Sequence, residues 1–114
     1  MAIYKNHYYV YFVRDNLGHI KIGISNDVRA RIWSLQTANP MKLEYFYSIL
    51  VEGEVAARTL EKKIHSKFSH VRLQGEWFEE KEVIEWVSKD FVEINFCGYP
   101  QKFIGRNNWS KELF

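Results

Sequence analysis

Tyr9-Val10-Tyr11-Phe12-Val13-Arg14-Asp15-Asn16-Leu17-Gly18-His19-Ile20-Lys21-Ile22-Gly23-Ile24-Ser25-Asn26-Asp27-Val28-Arg29-Ala30-Arg31 is the stretch that decides the fold. From His7 to Val13 the residues are almost all aromatic or β-branched, which predicts a strand covered on both faces. Asp15-Asn16-Leu17-Gly18 supplies turn chemistry, because Asn and Gly accept positive φ at little cost. His19 to Ile24 is the return strand, with Ile20, Ile22 and Ile24 alternating against His19, Lys21 and Gly23. Ser25, Asn26 and Asp27 can each cap a helix, and Val28, Ile32 and Leu35 follow at helical spacing. A helix is therefore expected from about Asp27 to Gln36, ended by Asn39-Pro40.

Downstream, Leu43 to Val51 reads as a third strand, with Leu43, Tyr45, Tyr47 and Ile49 on one face and Glu44, Phe46, Ser48 and Leu50 on the other. Gly53 breaks it. From Glu54 to Phe68 the apolar positions Ala57, Leu60, Ile64 and Phe68 recur every three or four residues, as in an amphipathic helix. A loop from Ser69 to Gly75 leads to Glu76-Trp77-Phe78, and Glu79 to Lys89 offers a third helix through Val83, Trp86 and Val87. Phe91 to Phe96 reads as a short edge strand. The expected fold is α+β, a three-stranded antiparallel sheet flanked by helices over residues 1–97. A C-terminal extension, 98–114, is expected to pack on or near it, since Phe103, Ile104, Trp109 and Phe114 are costly to leave in water.

A length of 114 residues suits one core. With 46% hydrophobic and 17% aromatic residues, the composition lies far from that of disordered chains. The net charge is only +2, so attraction to a polyanion must come from local clustering of cations. A single cysteine, Cys97, excludes an internal disulfide and a cysteine-rich zinc site. No apolar run approaches the ~18 residues of a membrane span, and Met1 to His7 lacks the core of a signal peptide. A soluble, intracellular, cytoplasmic protein is the expectation.

Several polar groups are set to converge. Tyr9 and Tyr11 share one face of the first strand, His19 and Lys21 one face of the second. Arg31 follows in the first turns of the next helix, and Glu61 lies at the margin of a stripe that must pack on the sheet. No Ser, Cys or Thr nucleophile is paired with a base, so acyl transfer is disfavoured. Phosphodiester hydrolysis suits the set better: a deprotonated phenol can take a proton from attacking water, Arg and Lys stabilise phosphoryl charge, and one carboxylate can hold a divalent cation.

Tyr9-Val10-Tyr11, Lys21-Ile22-Gly23, Arg31 eight residues beyond that glycine, and Leu60-Glu61-Lys62-Lys63-Ile64 together resemble the GIY-YIG endonuclease superfamily over roughly residues 7–80. Gln36-Thr37-Ala38-Asn39-Pro40 and Gly75-Glu76-Trp77-Phe78 are similar to a phage-type branch whose second motif begins with Lys. The resemblance implies that Tyr11 acts as general base or orients the water, that Lys21 stands near the phosphate, and that Arg31 stabilises the transition state. It also implies that Glu61 binds Mg²⁺, with Mn²⁺ as a substitute. The first motif lacks its glycine and isoleucine, and Lys21 cannot serve as a phenolic base.

Tyr9, His19, Arg29, His65 and Arg72 are candidates for substrate contact, and Arg29, Arg31, Lys62, Lys63, Lys67 and Arg72 for a surface that tracks phosphates. The expected activity is that of a divalent-metal-dependent DNA endonuclease of phage or mobile-element type, in homing, restriction or competition between phages. The alternative is a DNA-binding module on the same scaffold with weak or no cleavage. The chain has no zinc-finger spacing, so a protein partner, homodimerisation or DNA structure would have to supply selectivity.

Overall fold

The computed structural model describes residues 6–88 and the backbone of 102–104. Its strands are β1 (His7–Arg14), β2 (His19–Ser25), β3 (Glu44–Glu52), β4 (Arg72–Gln74), β5 (Trp77–Glu79) and β6 (Lys102–Ile104). Its helices are α1 (Val28–Thr37), α2 (Gly53–Lys67) and α3 (Glu80–Ser88). The strands form one antiparallel sheet in the order β4-β5-β2-β1-β3-β6.

The α+β class and the central β1–β3 sheet agree with the sequence reading, but three strands is too few. Residues 6–88 alone contribute five, because the segment read as a loop from Ser69 holds β4 and Glu76-Trp77-Phe78 runs into β5. This short hairpin turns at Gly75, whose φ of +58° favours glycine, and it pairs with the backbone groups of β2 that would otherwise form an open edge. The strand expected over Phe91 to Phe96 and, apart from β6, the extension from 98 lie outside the described residues.

Asp15 closes the first hairpin. Its carboxylate accepts from the backbone N–H groups of Leu17 and His19 at 2.8 and 3.0 Å, and pairs with His19 Nδ1 at 2.9 Å. Asp27 caps α1, accepting from the Ala30 N–H at 3.1 Å. Beyond α1, the Gln36 amide donates to the carbonyls of Asn39 and Met41 and accepts from the Leu43 N–H, fixing the turn into β3.

The sheet is buried on both faces. Val10, Phe12, Ile20, Ile22, Ile49 and Phe78 pack with α2 and α3 through Leu60, Ile64 and Val83. On the other face Tyr11, Val13, Leu43 and Tyr45 pack with Val28 and Ile32 of α1. One expectation for β3 fails here, since Tyr45 and Tyr47 lie in different core clusters. The pairing with β1 shifts between Phe12 and Val13, so Phe46 is an extra residue and the alternation changes phase across it. Among the described residues no helix is long and apolar enough to cross a membrane.

Candidate active site

The register of β1 and β2 sets Tyr11 opposite Gly23 and Lys21 opposite Val13, which puts the Tyr11 phenol and the Lys21 stem on the α1 face. Tyr11 is 1% exposed and lies over Gly23. Arg31, on the exposed side of α1, acts electrostatically on the phenol. Burial pushes the Tyr11 hydroxyl above its ordinary pKa, while the positive charge of Arg31 pulls the other way.

Lys21 is buried, and its ammonium donates to Glu76 Oε1 at 2.8 Å. The Trp77 ring lies 6.0 Å from Nζ, within cation–π range. Glu76 precedes β5 and is docked by its own backbone, its carbonyl accepting from the Ile22 N–H at 3.0 Å. Its carboxylate also interacts electrostatically with that of Glu61, which approaches from α2.

Burial, and after it the charge of Glu76, push the Glu61 carboxyl up to about 7. Burial works in the same direction on Glu76, but Lys21 and, after it, Glu61 outweigh it and hold Glu76 below the ordinary range. Glu61 is thus the carboxyl of the pair that holds its proton more tightly, and Glu76, facing Lys21, the one that gives it up more readily. Glu61 Oε2 is buried and has no hydrogen-bond partner among the described residues.

Tyr11, Lys21, Arg31 and Glu61 therefore lie near one another: Glu61 and Glu76 both act electrostatically on Tyr11, and Lys21 acts on Glu61. The companion residues are more scattered. His65 stands beside Glu61, Nε2 to Oε2 being 3.8 Å, but its ring N–H donates to the Ile22 carbonyl at 2.9 Å and so serves the edge of β2. Arg72 donates to the Gly75 carbonyl at 2.7 Å and braces the β4–β5 turn. Both nonetheless line an open cleft of about 660 Å³ with Arg58, Lys62, Glu61 and Glu76.

His19 is held in the hairpin turn by Asp15. Tyr9 is packed beside the Tyr11 cluster, where burial and the charge of Asp27 push its hydroxyl pKa up. Arg29 lines a different cleft with Ile32, Trp33 and Gln36.

The donor set fits a hard divalent cation. Among the described residues no group of three or more His, Cys, Asp and Glu side chains is arranged around a common point, as a zinc site would need. Mg²⁺ is commonly held by one or two carboxylates and completes its shell with water and phosphate oxygens. The unpartnered Glu61 Oε2, beside a second carboxylate, meets that requirement.

The residue that sequence reasoning missed is Glu76. It lies in the quoted Gly75-Glu76-Trp77-Phe78 stretch, yet its partner Lys21 is 55 positions away, and no local period joins them.

In comparison with known proteins, residues 6–91 match the T5orf172 domain. No curated protein and no solved structure matches the chain. The match corrects the resemblance drawn above: the family shown is the T5orf172 domain, a different family from GIY-YIG. The short motifs that suggested GIY-YIG cover a few residues each, whereas the domain match runs from the start of β1 to beyond α3.

Proposed function

Since the chain belongs to the T5orf172 domain family, which is associated with nuclease-like or DNA-binding proteins of phages and mobile elements, we propose that it hydrolyses DNA phosphodiester bonds with the help of a divalent cation. The observation that carries this reading is the grouping of the buried Tyr11 phenol, on which Arg31 acts electrostatically, with the Lys21 ammonium held 2.8 Å from Glu76 and with the Glu61 carboxyl beside it. A proton acceptor, two cations and a carboxylate with a spare oxygen are what an in-line attack of water on a phosphodiester requires.

In this mechanism the Tyr11 oxygen takes the proton of the attacking water, or orients that water. Arg31, whose positive charge acts on the phenol, favours its anion and stabilises charge that develops on the phosphoryl oxygens. Lys21 contributes a second positive charge from the neighbouring strand. Glu61 is the residue to hold Mg²⁺, or Mn²⁺ in its place. When bound, the cation supplies Lewis-acid stabilisation of the leaving oxygen. Arg58, Lys62 and Arg72 line the cleft outside Glu61 and suit the flanking phosphates.

A second reading, a DNA-binding module with weak cleavage, is favoured by one observation. Burial raises the Tyr11 pKa, which leaves little phenolate at neutral pH.

The test is an assay of purified chain on single-stranded, duplex and branched DNA with Mg²⁺ or Mn²⁺, run beside Glu61→Ala. Nicking or cutting that vanishes in Glu61→Ala, with the thermal melt retained, is the expected outcome. Equal cleavage by both proteins would sink the cation role, and binding without cleavage by the parent chain would favour the second reading.

A further inference from the structure

Lys21 is a buried cation that has one hydrogen-bond partner among the described residues. Resting on the phosphodiesterase reading above, we propose that Glu76 is a positioning residue for Lys21: its carboxylate holds the ammonium beside β2 with N–H donors left for a phosphoryl oxygen.

The geometry supplies each part of this. An ammonium has three donors. One is used on Glu76 Oε1 at 2.8 Å, and the Trp77 ring lies 6.0 Å from Nζ. Both contacts come from consecutive residues of one short segment, and that segment is fixed to β2 by the Ile22 N–H bond to the Glu76 carbonyl at 3.0 Å and by the Lys21–Trp77 pairing. The ammonium is therefore held in place before any ligand arrives, with donors beyond the one given to Glu76 left over.

Without Glu76, the ammonium would be left buried and unpaired or would swing into solvent, because an unpaired charge is costly in that setting. The Glu76 carboxylate is engaged by Lys21 on one side and by Glu61 on the other, whereas Glu61 keeps an unpartnered oxygen. That difference separates the two carboxylates into one that orients and one that is available as a ligand.

The test uses the full chain with Glu76→Ala, Glu76→Gln, Lys21→Met and the double variant Glu76→Ala/Lys21→Met. Cleavage is measured as kcat and KM, the Lys21 ammonium by ¹H–¹⁵N NMR, and cation affinity by titration with Mn²⁺. The proposal expects Glu76→Ala to lose about 10²-fold in kcat with little change in KM, the magnitude of a misplaced catalytic group. The double variant should be no worse than Lys21→Met alone. Glu76→Gln, which keeps an acceptor oxygen, should recover part of the rate and carries the test if Glu76→Ala fails to fold.

The protected ammonium signal of Lys21 should disappear in Glu76→Ala. Multiplying losses in the double variant, an unchanged ammonium signal in Glu76→Ala, or a loss of Mn²⁺ affinity as large as that of Glu61→Ala would each overturn the proposal. If the parent chain cuts no DNA, the nuclease reading fails, and the ammonium signal decides the positioning claim by itself.

Discussion

The phenol of Tyr11 lies over Gly23 so closely that a methyl group added to Gly23 would stand 2.6 Å from the hydroxyl oxygen and 2.7 Å from Cζ. Gly23 is not among the positive-φ glycines, so the glycine is required by space and not by backbone conformation. Gly23→Ala should displace the Tyr11 ring from a site where it is 1% exposed, costing about 1–3 kcal/mol. In a Tyr11→Leu background the same alanine should cost much less. Thermal melts of the two single variants and the double variant measure the coupling, and additive losses would show that the ring is free to move aside.

Arg31 lowers the Tyr11 pKa that burial raises, so Arg31→Ala should move the phenol's titration upward. If the phenolate is the base, log kcat rises with pH below that pKa, and Arg31→Ala should shift the rise to higher pH while DNA affinity falls less than turnover. Because Arg31 is exposed, the variant should keep its thermal stability. A loss confined to binding would make Arg31 a phosphate anchor only.

The carboxyl pair makes stability depend on pH with a definite sign. Glu61 has its folded-state pKa raised from 4.5 to about 7, so the folded chain binds this proton more tightly than the unfolded one. Its contribution is fully present below about pH 4.5 and is lost as pH rises through about 7. In cation-free buffer, Glu61→Gln should therefore raise Tm relative to the parent chain at pH 8, by on the order of a few degrees, with a smaller difference at pH 5. Mg²⁺ should stabilise the parent more at pH 8 than at pH 5, because a ligand carboxyl must be deprotonated. A Glu61→Gln chain that is less stable than the parent at pH 8 would contradict the assignment.

His65 donates to the Ile22 carbonyl at 2.9 Å and packs on the Phe78 ring at 5.0 Å between centroids. His65→Ala should cost about 1–3 kcal/mol through an unsatisfied edge carbonyl and lost packing. kcat/KM, measured well below the lowered Tm, should stay within a few-fold of the parent. A large catalytic loss without a stability loss would move His65 from the sheet edge into the reaction.

The parts of this fold visible in the sequence are those with a repeating period. Ile20, Ile22 and Ile24 announce β2, Ala57, Leu60 and Ile64 announce α2, and Asp27 caps α1 as its position suggests. Arg72-Leu73-Gln74 is too short and too exposed to announce β4, and the extra residue Phe46 reverses the facing of β3 without leaving a mark in its composition. Within the site, Tyr11, Lys21, Arg31 and Glu61 each carry a side chain whose chemistry suggests a use. Glu76 and the edge role of His65 depend on contacts 55 and 43 positions away, which only the folded sheet creates.

The Lys21–Glu76 contact also bears on how the two positions can change over time. A chain that lost Glu76 would strand the buried Lys21 ammonium, whereas one that replaced Lys21 with a neutral side chain would leave a carboxylate whose side chain is 42% exposed and open to water. The cation therefore depends on the anion more than the reverse, and related chains that keep Lys21 should keep Glu76 with it. Wherever Lys21 is kept, positions 21 and 76 would then be inherited as a single unit, divided between two distant parts of the chain.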